Sequence, residues 1–367
     1  MKRKAEASSS VCNDSCIQGA QCRKSLSIPV VDFGAFIERE GIFAGDAPTE
    51  AQVVVAGQID AICREHGFLC LTNFGVSPDL VKRAFAASKS LFALSQETKR
   101  SELSRIKPET NMGYEPYAAG ALNKARPPDM KEAFNVRSFS VYQNDFRGCP
   151  DNFQQLSEEL WEAVTSAARR YSQACALALG LEPEYFSKTL NSMDLSTIRF
   201  LHYPPCDFDE SADVASRDSA IRAGEHTDFG LFTMLFTDVG AEGLQLKPVR
   251  GGEVGGDNGG EDAGWCDLEV PAAEAGQVNI VVNTGALLAR WTNDVWRATA
   301  HRVVVPNASA AARPRFSIAC FLDPDAITQV AVHPKFIPDG EKAKYEPISS
   351  KDYLLMKLRS AQQKVAA

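Results

Sequence analysis

From Ser196 onward the chain breaks into short strand-like runs, at 197–203, 231–237, 244–247, 278–283, 302–305 and 316–321, with turn residues between them. This texture constrains the fold more than anything else in the sequence. Parallel strands would need crossovers of a dozen or more residues, usually helical, and most of these gaps offer turn signals instead. The runs therefore predict an antiparallel sandwich or barrel. Helical spacing is confined to the flanks. Apolar residues recur at helical period in 52–66 before Gly67, and again from Pro78 toward Leu94 with Ser77 as cap. A third helix is expected over 153–180, with Gly180 as its stop. The expected fold class is mainly β with flanking helices.

Residues 1–26 are polar and rich in Ser and Cys, and read as a mobile tail. An N-terminal α/β region over 27–150 is expected to follow, opening with a strand at 28–33 and containing a Pro-, Gly- and Tyr-rich loop at 101–130. A helix and a strand-rich core fill 151–330, and a C-terminal extension with a helix at 353–364 fills 331–367. Seven glycines and several acids in 251–264 describe a surface insertion; no Lys-Ser/Thr follows, as a phosphate cradle would require. Cys12, Cys16 and Cys22 lack the paired spacing or nearby histidine of a zinc site, whereas Cys63, Cys70, Cys175 and Cys320 sit in apolar sequence and read as buried thiols.

A net charge of −8, without a basic stripe, argues against nucleic acid as a partner. No apolar stretch is long enough to span a bilayer, and the start MKRKAEASSS lacks a secretory core. The expectation is a soluble, cytoplasmic protein acting on a small molecule, as a monomer or weak homo-oligomer.

His226-Thr227-Asp228 and the later His301 carry the chemistry. Alone, either histidine is more often a satisfied polar residue than a ligand. Together they supply two imidazoles and a carboxylate, a set that leaves three positions of an octahedral Fe(II) open. Strand parity puts His226 and Asp228 on one face if His226 opens a strand, and likewise pairs Arg315 with Ser317. His66, His202 and His333 have no such company.

The chain resembles the Fe(II)- and 2-oxoglutarate-dependent oxygenases, in the branch of isopenicillin N synthase and the plant gibberellin and flavonoid oxygenases. The matching segments run in order over about 28–325. They include Ile28-Pro29-Val30-Val31-Asp32, Gly67-Phe68, Gly113-Tyr114, Lys131-Glu132-Ala133-Phe134 and His202-Tyr203-Pro204-Pro205. His226-Thr227-Asp228-Phe229-Gly230, Asn283-Thr284-Gly285, His301-Arg302-Val303 and Arg315-Phe316-Ser317 complete them. Leu201 and Ala286 stand where many relatives have asparagine and aspartate. The resemblance implies a double-stranded β-helix, or jelly roll. It implies that His226, Asp228 and His301 hold Fe(II), and that Arg315, Ser317 and Tyr203 bind the distal carboxylate of 2-oxoglutarate. Arginine suits that task because its planar fork meets a carboxylate bidentately. For Tyr203 a core tyrosine with a polar tip is the competing reading.

The implied reaction uses O₂ to oxidise a C–H bond and releases succinate and CO₂, with ascorbate as an optional reductant. Hydroxylation is expected, with desaturation or ring closure requiring only a different substrate placement. Tyr114, Asn135, Arg137, Arg199, Phe229 and Phe321 are candidate substrate contacts, each with a packing role as its alternative, and the C-terminal helix is a candidate cover for the mouth. The competing functions are an Fe(II) oxidase of the same fold that does not use 2-oxoglutarate, and a non-catalytic jelly-roll binding protein.

Overall fold

The computed structural model describes residues 25–363 apart from 39–41, 43–45, 108–109, 120–128, 209–220 and 248–263. The expected tail up to residue 24 with its three cysteines, and all of the Gly-rich insertion except Gly264, lie outside the described residues.

The strands that build the site are β1 (Ser25–Ser27), β2 (Val30–Asp32), β3 (Phe68–Thr72), β4 (Gly113–Glu115), β5 (Glu132–Arg137) and β6 (Thr197–Tyr203). They continue with β7 (Ile221–His226), β8 (Phe232–Thr237), β9 (Leu244–Leu246), β10 (Cys266–Glu269), β11 (Ile280–Thr284), β12 (His301–Val304) and β13 (Arg315–Leu322). A larger sheet runs β2-β3-β11-β8-β13-β6-β5-β4, and a smaller one β1-β10-β9-β12-β7. Between them lies an apolar core drawn from both, with Cys70, Ala133, Leu201, Tyr203, Val281 and Ala319 from the larger sheet meeting Ala223, Leu244, Leu246, Cys266 and Val303. This is the expected jelly-roll sandwich, with its inner faces filled by alternate residues.

Strands from either side of residue 150 share the larger sheet. Order also starts earlier than expected, because Ser25–Ser27 pairs in parallel with β10. A three-residue segment, Ser25-Leu26-Ser27, is too short to show a period, and only its distant partner makes it a strand. β7 and β10 were not anticipated either.

The outer face of the larger sheet is covered by helices. Helix Glu50–Glu65 starts on a capping box between Thr49 and Gln52. Helix Pro78–Phe92 places Pro78 in its first turn, although Ser77 makes no side-chain cap bond. Helix Phe153–Ala178 ends before Gly180, whose φ of 63° is readily adopted only by glycine. Tyr171 of this helix meets Phe232 edge to face at 4.9 Å. Cys63, Cys70, Cys175 and Cys320 are buried free thiols, as expected. Burial pushes the Cys63 thiol up to about 12, with nearby Asp60 adding and hydrogen bonds opposing, so it remains unreactive. The C-terminal helix, Ser350–Gln363, rests on the backbone of Ala326 and Thr328 and beside the Arg290 guanidinium.

Candidate active site

His226 closes β7 rather than opening a strand, and Asp228 lies beyond the strand in the turn toward β8. Strand parity therefore does not place the pair. The turn itself does. The Ala286 amide donates to the Asp228 carbonyl at 2.7 Å and the Gly285 amide donates to the Leu231 carbonyl at 3.0 Å, seating the turn against the start of helix Ala286–Trp291. His301 begins β12 and is in register with His226, so two adjacent antiparallel strands present their imidazoles together.

The result is compact. One ligand atom from each of His226, Asp228 and His301 lies within 4.8 Å of the others. Asp228 Oδ1 is 3.7 Å from His226 Nε2 and 3.8 Å from His301 Nε2. The remaining polar atoms are all occupied: Asp228 Oδ2 accepts from Thr233 Oγ1 at 2.6 Å and Asn283 Nδ2 at 2.7 Å. His226 Nδ1 lies 2.7 Å from the Gly224 carbonyl, and His301 Nδ1 3.1 Å from that of Thr299. Carbonyl partners require Nδ1 to carry a proton, and each Nε2 faces Asp228. Burial and the neighbouring His301 push the His226 imidazole down to about 4, so it is neutral at physiological pH. Burial pushes the Asp228 carboxyl up, but the two histidines and the Asn283 and Thr233 donors outweigh it and hold it below the usual range. Two imidazoles and one carboxylate, each fixed by a second partner, fit a divalent metal with sites to spare.

On β13, Arg315 and Ser317 share a face, and Arg315 pairs in register with Tyr203 of β6. The Arg315 guanidinium is buried; Nη1 donates to Ser317 Oγ at 3.3 Å, Nε to the Glu242 carbonyl at 3.3 Å, and its carbon stands 5.0 Å from the Tyr203 ring centre. Nη2 has no partner. Among the described residues no carboxylate balances this cation, and a buried guanidinium with an open donor fits the carboxylate of an incoming acid. Farther along β13, Phe321 pairs with Thr233, which pairs with Asn283, so the arginine and the supports of Asp228 belong to one inner sheet face.

The expected substrate contacts divide. Asn135 and Arg199 are cross-strand partners on that inner face. Arg199 Nη1 donates to Asn135 Oδ1 at 3.0 Å and Nη2 pairs with Glu115, while Asn135 Nδ2 donates to Asn111 Oδ1 at 3.0 Å. Phe321 is half-buried on the same face, and Phe229 is half-buried in the turn after Asp228. Arg137 instead spends its donors on the carbonyls of Ser196 at 2.9 Å, Thr110 at 2.8 Å and Asp194, a structural clamp. Tyr114 points to the opposite face. It donates to Glu132 within the outer core, because alternation along β4 puts Gly113 and Glu115 inward and Tyr114 outward. β5 lies between β6 and β4 with all six residues buried.

Glu115, Thr233 and Asn283 were not singled out by the sequence. For Asn283 a signal existed in the Asn-Thr-Gly segment; for Glu115 only the parity of a three-residue strand could have shown it. His202 does have company: its Nδ1 lies 2.8 Å from Glu132, and its ring stacks on Phe92 and Phe316 at 5.4 and 4.6 Å.

Residues 28–170 match the family model described as the N-terminal region of a non-haem dioxygenase in morphine synthesis, and 195–324 match the 2OG-Fe(II) oxygenase superfamily. The chain is 28% identical over 306 residues to the 2-oxoglutarate-dependent dioxygenase caaD of Aspergillus niger, covering 81% of this chain and 84% of that protein. It is 29% identical over 317 residues to the proline hydroxylase buaE of Petromyces alliaceus, covering 83% and 91%. Among solved structures, a full-length Neurospora crassa protein in complex with alpha-KG and thymine superposes with a TM-score of 0.73 at 28% identity, covering 92% of this chain and 97% of that one.

Proposed function

Because the chain belongs to the Fe(II)- and 2-oxoglutarate-dependent oxygenase superfamily and is a 2-oxoglutarate-dependent dioxygenase, we propose that it hydroxylates a small, uncharged, polar metabolite on the inner sheet face beside the candidate metal ligands. When bound, Fe(II) and the 2-oxo acid supply the oxidising chemistry, O₂ being consumed and the acid leaving as succinate and CO₂. His226, Asp228 and His301 hold the metal. Arg315 and Ser317 receive the distal carboxylate, with Tyr203 behind them. The observation that carries this assignment is the buried Arg315 Nη2, which has no hydrogen-bond partner among the described residues and is free to receive an acid. Leu201, Ala319 and Phe321 keep the inner face apolar and limit water near the reacting carbon.

Arg199, Asn135 and Glu115 orient the substrate. Glu115 neutralises the Arg199 charge, so this part of the inner sheet face offers hydrogen bonds without a net charge. That favours an amide-like edge over a free carboxylate, in keeping with the thymine-bound relative. Phe229 and Phe321 supply apolar walls.

Incubation with Fe(II), 2-oxoglutarate, O₂ and ascorbate, offering thymine and a metabolite extract, tests the reading. Succinate should form in step with a product heavier by one oxygen. Loss of two hydrogens instead would mark desaturation or ring closure. Iron-dependent O₂ uptake that needs no 2-oxo acid would overturn the proposal in favour of an oxidase.

A further inference from the structure

β7 carries the first metal ligand, yet among the described residues it is the terminal strand of the smaller sheet, paired on one side only with β12. That pairing is itself irregular, with a register shift between the His301 and Val303 rungs, next to the ligand histidines. An edge strand with a bulge is the least constrained place in a sheet, whereas a metal ligand needs to be held within a fraction of an ångström. Something else must therefore fix the end of β7.

The structure assigns this task to Asp129, anchored by Lys131. Asp129 Oδ1 accepts the Gly224 amide at 3.1 Å, taking the place of a strand neighbour on the open edge of β7. The Gly224 carbonyl in turn accepts the Nδ1 proton of His226 at 2.7 Å. The two peptide units flanking the Gly224 α-carbon are thus pinned, one by Asp129 and one by the ligand itself. Asp129 Oδ2 forms an ion pair with Lys131, and both side chains are buried. Lys131 stands immediately before β5, so the pair ties the edge of the smaller sheet to the larger one, beside the metal ligands. A buried carboxylate beside its counter-ion is a stiff acceptor, and the bond it accepts is charge-assisted. Asp129 is a positioning residue. It acts through the Gly224 backbone on the direction of the His226 ring and on which nitrogen carries the proton.

This inference and the proposed function both rest on the triad as the metal site, so the experiment separates them. Mn(II) affinity is measured by calorimetry and the Co(II) absorption spectrum is recorded for wild type, Asp129→Ala, Asp129→Asn and Lys131→Met, with His226→Ala as reference. Exchange of the Gly224 amide proton is followed in the metal-free proteins. Losing an outer support of a ligand histidine typically lowers metal affinity ~10–100-fold, and Asp129→Ala should fall in that range with an altered Co(II) spectrum and an unprotected Gly224 amide. Asp129→Asn keeps an acceptor oxygen and should recover most of the affinity, and Lys131→Met should fall between the two. Should Asp129→Ala not fold, the ordering of wild type, Asp129→Asn and Lys131→Met decides. Affinity within twofold of wild type in Asp129→Ala, or no loss in Lys131→Met, overturns the assignment while leaving the metal site intact. Equal Mn(II) binding by wild type and His226→Ala overturns the metal site itself.

Discussion

Asp228 divides its two oxygens between tasks: Oδ1 faces both imidazoles, and Oδ2 is taken by Thr233 and Asn283. Both supporting bonds go to a charged acceptor, a type worth about 1.5–3 kcal/mol each. Asn283→Ala should therefore weaken Mn(II) binding about tenfold by calorimetric titration while leaving 2-oxoglutarate affinity nearly unchanged. Asp323 shows the opposite environment. Burial pushes its carboxyl up from 3.8 to about 7, with the Asp228 charge adding and Arg137 opposing. Between those two pH values the folded state holds a proton that the unfolded chain releases, so this group makes stability fall as pH rises from about 4 to 7 and keeps it lowered above. Asp323→Asn removes the ionisation. Its urea midpoint, compared with metal-free wild type, should rise more at pH 8 than at pH 5, and an equal difference at both would exclude this origin.

At the scale of elements, the turn that carries Asp228 depends on two glycines in contact. A β-carbon built on Gly285 would stand 2.1 Å from the Gly230 carbonyl oxygen, closer than any backbone tolerates. Gly285→Ala should drive the turn away from helix Ala286–Trp291 and lower both the melting temperature and Mn(II) affinity, whereas a change in stability alone would show the turn to be independent of the ligands. On the far side of the larger sheet, Glu132 accepts from Lys99, Tyr114 and His202, with the Lys99 and Glu132 side chains only 3% and 2% exposed. Glu132→Gln leaves a buried ammonium without its counter-charge, at a cost of about 3–5 kcal/mol in denaturant unfolding. The helices and most strands were legible because their apolar residues repeat with the period of the element. β1 and β10 were not, since short strands gain their identity from partners far away in the chain.

Across the whole molecule the metal site joins the two sheets. His226 and His301 belong to the smaller sheet, while Thr233 and Asn283, which hold Asp228, belong to the larger. A metal bound there resists their separation, so Mn(II) at a hundred times its Kd should stabilise the fold by about 2.7 kcal/mol, read as a rise in melting temperature that a chelator reverses. By itself the sequence determined the antiparallel class and marked His226, Asp228 and His301 as candidate ligands with Arg315 and Ser317 as a candidate pair, because each rests on residue type and on short motifs that follow one another in order along the chain. The tertiary structure alone decided that Asp228 is aimed by a turn and not by a strand, that Tyr114 lies on the outer face of the larger sheet, and that Glu115 and Asp129 face Arg199 and Gly224. Those outcomes depend on which strands become neighbours, and the contacts that choose them join residues up to about a hundred positions apart, beyond the reach of any local period.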